Sequence, residues 1–499
     1  MRGTRCLLLP LVMCMSAPLA SLAQWEPEAR LTDNPFNSVT SFNNARCVAA
    51  VGATIHVVWH DDRDGNTEIY YKRSTDNGTT WGADTRITTD ASWSERPSVA
   101  VRDSVIHVVW YDGRIGPPRI FYKRSLDDGS TWGPDVCLTP TAGVGYQPSV
   151  AVCGSIVHVA WTDMSAGPQI YYTRSLDNGA TWETARNITP AAPAAGKNLA
   201  SIAVAGSTLH VTWMDTRGGP RIYYTRSLDN GVTWETDRAI TPVPSQFASV
   251  AVSGSIVHVV YADFRFGSDL PKIYYTRSLD NGGSWGAEVP LAGAFASWYP
   301  AVAAAGSHVY AVWPDNRNGD VSEIYYKESL DDGSSWGPDV RLTDNPSESR
   351  EPSVAASGSY VHVVWHDDRD QNWEIYYKRG ATPSAGTGEH GYPAGRAPRL
   401  LSAAPNPSTG PVVIRYDLPS AASVLLEIFD PSGALVRRFV QELQPSGSHE
   451  IRWNGRDGEG RAMPSGVYMT RMPSATFVPA SVWKRYSPST PAPAPAPSK

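Results

Sequence analysis

The 499-residue chain is poor in cysteine, having five, and two of those, Cys6 and Cys14, stand near its start. The remaining three, Cys47, Cys137 and Cys153, are an odd number. No disulfide framework holds the fold, and their spacing resembles no metal site. Burial as small hydrophobes is their expected role. Charge is also sparse: Asp, Glu, Lys and Arg make up 18% of residues and the net charge is −6. Without a Lys/Arg stripe or a basic tail, a nucleic-acid partner is not expected. Beyond the first 23 residues no run approaches the ~20 apolar residues that span a bilayer. Nothing in the sequence calls for a cofactor or a metal ion.

Turn residues and aromatics are present in quantity, with 42 Gly, 18 Trp and 23 Tyr. Many recur in one eight-residue stretch that occurs six times: STDNGTTW (74–81), SLDDGSTW (125–132), SLDNGATW (175–182), SLDNGVTW (227–234), SLDNGGSW (278–285) and SLDDGSSW (329–336). Asp, Asn and Gly bend the chain because short polar side chains bond nearby backbone and Gly accepts positive φ. The closing Trp is a large apolar anchor. An apolar run such as EIYYKR (68–73) precedes each stretch, so each turn joins two strands.

A second signature precedes the first and occurs seven times, from IHVVWHDDR (55–63) to VHVVWHDDR (361–369). Its aromatic centres are Trp59, Trp110, Trp161, Trp213, Tyr261, Trp313 and Trp365, at the spacing of one four-stranded propeller blade. Each unit reads as strand A (PSVAV), B (VHVVW), C (IYYKR), the turn, and D (TWGPDVRLT). The seventh breaks off after EIYYKR (374–379). The missing strand stands at the other end of the chain, as WEPEARLT (25–32). The fold expected is all-β, a seven-bladed propeller closed by an N-terminal strand that removes a sheet edge.

Residues 1–23 have the form of a secretory signal: Arg2 and Arg5, an apolar run from Leu7 to Met15, and small-x-small at Ser21-Leu22-Ala23. Cleavage is expected before Gln24, and a secreted or cell-surface location follows from it. The ring takes 24–379. A Pro/Gly/Ser-rich linker covers 380–397. A second unit with short strand patterns runs over 398–485, and a Pro-Ala tail over 486–499. The runs PNPSTGPVVIRYDLP (405–419) and WNGRDGEGRAMPSGVYMTRM (453–472) resemble the Ig-like domain of flagellar hook-capping proteins and C-terminal sorting domains. That resemblance implies a small β-sandwich and a role in attachment to the cell surface.

The pattern S-x-D-x-G-x-T/S-W resembles the Asp box, or BNR repeat, of sialidases and related propellers. It implies a sialidase-like fold in which Asp76, Asp127, Asp177, Asp229, Asp280 and Asp331 stabilise turns away from any site. The seven aspartates of the second signature, Asp61 to Asp367, lie on the other face. Repeated in every blade and mostly followed by Arg, they read as turn caps with ion-pair partners. Positions that vary between blades are more informative. The residue before the strand A core reads Ala45, Arg96, Gln147, Leu199, Phe247, Tyr299 and Glu351. The residue opening strand C is acidic in blades 1, 6 and 7 and basic in blades 2, 4 and 5, where Arg119 and Arg221 stand. The D–A loops add aromatics, among them Phe36, Phe42, Trp93, Tyr146, Phe295 and Trp298.

A ligand is therefore expected over the channel mouth on this face, near blades 2, 5, 6 and 7. Arg96 would clamp a carboxylate, and Trp93, Phe247 and Trp298 would offer apolar faces, with Arg119 and Arg221 nearby. The expected function is binding of a glycan or another extracellular ligand. The alternative is an exo-acting glycoside hydrolase of the sialidase type, with Tyr299 and Glu351 as nucleophile and base. The sialidase pattern implies three arginines, a Tyr–Glu pair, an Asp acid/base and an Arg-Ile/Leu-Pro motif. Here Arg96-Pro97 lacks the intervening apolar residue, and the blades number seven rather than six.

Overall fold

Each repeat forms one antiparallel sheet. The computed structural model describes residues 23–41, 46–139, 143–190, 196–267, 270–292, 297–319, 321–382, 399–404, 412–418, 422–430, 435–444, 447–464, 466–471 and 483–485. The leader expected at 1–23 lies outside them except for Ala23, as do most of the linker and the whole Pro-Ala tail. No helix occurs among the described residues.

Blade 2 shows the pattern: strands A (Ser94–Arg102), B (Val105–Asp112), C (Arg119–Ser125) and D (Val136–Cys137), hydrogen-bonded in that order. Strand B reads as an almost unbroken apolar run because it is covered on both faces. Val108, Val109 and Trp110 all have no exposed surface. Their cores lie between blades: Val58, Ile69 and Tyr71 of blade 1 pack with Val99, Val108 and Trp110 of blade 2. Strand D is only two residues long in every blade, shorter than the sequence suggests. Each box Trp turns instead to a Tyr of the preceding blade, as Trp132 does to Tyr71 with ring centroids 5.0 Å apart. The residues after it keep single bonds to strand C, from the Gly133 amide to the Arg124 carbonyl at 2.9 Å and from the Leu138 amide to the Ile120 carbonyl at 2.8 Å.

Seven such sheets are present. The last is completed by the N-terminal segment: Trp25 pairs with Gly380, Ala29 with Tyr377 and Arg30 with Tyr376. Thr85 and Arg86 pair with Tyr71 and Tyr70 in the same register in blade 1. Trp25 takes the place of a box Trp, its ring 4.8 Å from Tyr326. The ring closes as the sequence implies, with no free edge at the seam.

The contacts divide the chain into units at 1–387 and 388–499. The second unit has a three-stranded sheet (Arg399–Ala404, Val412–Leu418, Gly447–Trp453) and a four-stranded sheet in the order Leu435–Gln444, Ala422–Phe429, Gly466–Arg471, Trp483–Arg485. Ile414, Leu426, Ile428, Trp453 and Tyr468 form its core.

Candidate functional site

The boxes form one rim of the ring, and their side chains are fully engaged. In the first, Asp76 accepts from the Thr80 amide at 2.8 Å, the Thr80 hydroxyl at 2.6 Å and the Ser74 hydroxyl at 2.7 Å. These bonds hold the Asp76 carboxyl down to about 2. Asn77 and Gly78 both have positive φ. A Cβ on Gly78 would lie 2.0 Å from the Tyr377 hydroxyl, so glycine lets the preceding blade approach. Asp127, Asp177, Asp229, Asp280 and Asp331 repeat these bonds. Inside the blade a buried histidine meets the same tyrosine, as His56 Nδ1 meets the Tyr71 hydroxyl at 2.8 Å. Burial pushes that histidine down to about 4.

The aspartates on the opposite rim are equally occupied. Asp61 is fully buried. It accepts from Trp59 Nε1 at 2.9 Å and from Arg63 Nε and Nη2 at 2.8 and 2.6 Å. The Arg63 guanidinium lies 4.5 Å over the Tyr70 ring. In blade 3 the Ser165 hydroxyl and amide replace the arginine. A group bonded this way in every blade is scaffold.

The mouth of the channel is where the blades differ. The register slips between Glu95 and Ser98, and at the matching places in blades 3, 4, 5 and 7. Arg96, Gln147, Leu199, Phe247 and Glu351 stand at these positions and Tyr299 at the matching place in blade 6, all with φ between 42° and 64°. A bulge re-aims its side chain. A left-handed residue other than glycine costs on the order of 1–3 kcal/mol. The backbone device is repeated, but the side chains it presents are not.

These side chains meet around the mouth. The Phe247 and Tyr299 ring centroids are 4.5 Å apart. Gln147 Oε1 accepts from the Leu199 amide at 3.3 Å. Arg96 Nε donates to the Tyr111 hydroxyl at 3.2 Å. Burial pushes the Glu351 carboxyl up to about 7, against the pull of Arg96 and Arg350. Glu351 Oε2 is buried and accepts no hydrogen bond among the described residues. The Tyr299 phenol is raised by burial and by Glu351, so these two side chains lie within electrostatic reach.

Two histidines that sequence reasoning passed over complete this sector. His60 and His366 follow the aromatic centres of blades 1 and 7, and burial pushes both down to about 3. His366 Nδ1 lies 2.8 Å from the Thr40 hydroxyl, and the His366 ring packs on Trp373 at 4.7 Å. At the same strand B position the other blades carry Tyr111, Thr162, Met214, Ala262 and Pro314. That variation is the signal that could have found the histidines.

Blade 1 departs from the repeat. Seven residues, Thr40 to Arg46, stand between Val39 and Cys47, where blade 2 has only Arg96 and Pro97 between Glu95 and Ser98. The register puts Thr40, not Ala45, after the first strand A piece, and Ala45 and Phe42 lie outside the described residues. The Thr40 hydroxyl donates to the Glu351 carbonyl at 2.9 Å, and the Ser41 hydroxyl to the Pro97 carbonyl at 2.7 Å. Arg46 then enters the Val- and Ala-lined channel, a cavity of about 220 Å³. Its guanidinium reaches the Val250 carbonyl of blade 5 at 3.1 Å.

The other predicted residues lie farther out. Trp93 packs on Tyr111 at 5.5 Å and against Gly113, where a Cβ would sit 2.5 Å from its ring. Trp298 packs on Phe264 at 5.6 Å. Arg119 and Arg221 open strand C opposite Asp112 and Asp215, and Arg119 donates to the Thr139 carbonyl at 2.6 Å. The charge alternation at this position has a cause within the blade. Glu68, Glu323 and Glu374 pair with Arg86, Arg341 and Arg30 of strand D. Where the opening residue is basic, strand D has Cys137, Ala239 or Pro290 instead.

Beside the polar sector lies a pocket of about 210 Å³ lined by Asn37, His60, Asp62, Glu95 and Trp373. Enclosed small-molecule sites usually measure roughly 300–1,000 Å³. No cluster of metal-ligating side chains occurs among the described residues.

Two solved structures of similar fold are polysaccharide lyases. A PL25 ulvan lyase bound to -[GlcA(1-4)Rha3S]- aligns with a TM-score of 0.53 at 10% identity, over 70% of this chain and 95% of its own. The polysaccharide lyase Uly1 aligns with a TM-score of 0.51 at 9% identity, over 72% and 100%. A Trypanosoma rangeli sialidase mutant displaying trans-sialidase activity aligns at 0.44 and 11% identity, over 93% and 89%. At such identities the likeness to the two lyases is one of fold. No curated protein matches the chain in sequence. Residues 153–363 match the BNR repeat-like domain and residues 404–476 the FlgD Ig-like domain. The chain is therefore a seven-bladed BNR-repeat propeller followed by a FlgD Ig-like domain.

Proposed function

We propose that the protein is an exported propeller that binds an acidic glycan over the channel mouth, centred on blades 6, 7, 1 and 2. One observation carries the reading. A strained backbone position repeated around the ring presents Arg96, Tyr299 and Glu351 in one sector and Gln147, Leu199 and Phe247 in the other. Scaffold is repeated in every blade; this is not. Arg96 offers a fork suited to a carboxylate, and the Trp373 ring borders the adjoining pocket. The small pocket suits one residue of an extended chain better than an enclosed small molecule. The ulvan lyase bound to a GlcA-containing chain makes uronic-acid polysaccharides the first ligands to try. Export rests on the leader sequence at 1–23, and attachment through the Ig-like domain would place the propeller at the cell surface.

Glycosidic cleavage is the second reading, favoured by the Glu351 carboxyl poised near 7 beside Tyr299. The raised phenol means that Tyr299 reacts only if Glu351 takes its proton. An array of acidic glycans probed with the full chain and with Arg96→Ala tests binding; a fluorogenic sialoside and a uronate polymer test turnover. Binding lost in Arg96→Ala without turnover supports the first reading. Turnover abolished by Tyr299→Phe with binding retained supports the second. No acidic glycan bound at all contradicts both.

A further inference from the structure

The end of strand C carries an arginine in six of the seven blades, and each reaches across to the Asp box of the next blade. Arg124 donates to the Asn178 carbonyl, Arg226 to the Asn281 carbonyl and Arg379, across the seam, to the Asn77 carbonyl. Blade 6 has Glu328 at this position. Its neighbour, blade 7, has no box, because the N-terminal segment takes that place. The carboxylate of Glu328 is buried, at 2% exposure. Oε1 accepts from the backbone nitrogen of Ala23 at 2.9 Å and Oε2 from the Tyr326 hydroxyl at 2.7 Å. Among the described residues no Lys, Arg or His side chain forms an ion pair with it. The repeat is broken a second time beside it: where six blades carry a histidine in strand B, blade 6 carries Tyr310, stacked on Tyr326. Ala23 packs in the same cluster as Tyr310 and Tyr326.

A buried carboxylate held by two neutral donors is costly, and pairing with a cation offsets that cost. We infer that Glu328 is the built-in counter-ion for the N-terminal ammonium created when the export leader is removed. The inference rests on the leader reading and goes beyond it by assigning the receiving site. In the step, water hydrolyses one peptide bond under an endopeptidase of the export machinery. The released leader keeps the new carboxylate, and the propeller keeps the new α-amine, protonated near neutral pH. A cut before Ala23 puts that charge on the nitrogen already bonded to Glu328. The cut expected from the small-x-small pattern, before Gln24, puts it one residue along. A cut before Gln24 carries Ala23 away with the leader, so there the new ammonium has to move one residue's length to reach the Oε1 that Ala23 leaves.

Two measurements on the exported full chain test this. Intact mass and N-terminal sequencing locate the cut. Amine-selective labelling near pH 7, read by peptide mapping, measures how freely the new α-amine reacts. The inference expects a mature start at Ala23 or Gln24. It expects an α-amine labelled at least roughly tenfold slower in the native protein than in Glu328→Gln, as for a group that reacts only through local opening. A start upstream of Ala23 or downstream of Gln24, a pyroglutamyl end that carries no charge, or equal labelling of the two proteins overturns it while leaving export intact. An exported chain that keeps residues 1–22 overturns both the inference and the leader reading. Should Glu328→Gln not fold, Glu328→Asp, with the carboxylate withdrawn by one methylene, serves for the labelling comparison.

Discussion

The two rims of the ring are built on opposite plans. On the box rim the same bonds recur from blade to blade, and Asp76, Asp177 and Asp229 each accept from the amide four residues on at 2.8–2.9 Å. On the mouth rim the backbone recurs but the side chains diverge, from Arg96 through Leu199 to Glu351. Repetition marks what every blade needs to stand, and the proposed function is assigned to the positions that diverge. The conspicuous motif is therefore the scaffold.

Breaking the seam should have the largest effect. Deleting Gln24–Asp33 removes the two N-terminal strands that pair with the outer edge of Glu374–Ala381 and takes Trp25 off Tyr326. The expected outcome is loss of a cooperative thermal transition, or a melting temperature lower by more than ten degrees, against no change on removal of 486–499. Equal melting of the two truncations would show that the N-terminal strand is dispensable.

Acid should come next. His56, His107, His158, His210, His258 and His362 are buried neutral beside tyrosines, with pKa values lowered to about 3–4. The unfolded value is ~6.5. Between these limits the unfolded chain binds more protons, so stability falls as pH drops from ~6.5 toward 3–4. Denaturant unfolding at stepped pH should show this slope.

Glu351 acts in the opposite sense. Its folded pKa of about 7 lies above the unfolded value, so the folded protein holds the proton more tightly. The stability it confers is present below pH ~4.3 and lost as pH rises to about 7. Glu351→Gln should remove this component, so that the variant gains on wild type as pH climbs through that window. A constant difference between the two across pH would contradict the assigned environment.

The smallest effect belongs to a single box. Asp229→Ala should cost on the order of 1 kcal/mol, like the loss of a capping side chain. Ligand affinity should be unchanged. An affinity loss at unchanged stability would reverse the roles of the two rims.

The sequence showed the ring and its closure because repetition makes physical requirements visible. Trp25 could be matched to a box Trp before any coordinates. Arg96, Tyr299 and Glu351 could be singled out as equivalent positions, though not their left-handed backbone. His60 and His366 were hidden because a polar residue at the end of an apolar strand looks like ordinary variation. The Thr40–Arg46 segment was hidden because strand A of blade 1 was aligned from its core outward, which assigned Ala45 to a place that the pairing of Ser38 and Val39 gives to Thr40. Arg119 and Arg221 stand where the acidic blades pair a Glu with a strand D Arg, and their own blades carry Cys137 and Ala239 in place of that Arg.

The most direct test is a calorimetric titration of an acidic oligosaccharide against wild type, Arg96→Ala and Asp229→Ala, with melting temperatures measured in parallel. Arg96→Ala is expected to lose affinity by roughly ten- to a hundredfold, the worth of a charge-assisted hydrogen bond, while melting like wild type; Asp229→Ala is expected to bind like wild type and melt lower. Unchanged affinity in Arg96→Ala, for a ligand that wild type binds, would contradict the assignment of function to the mouth.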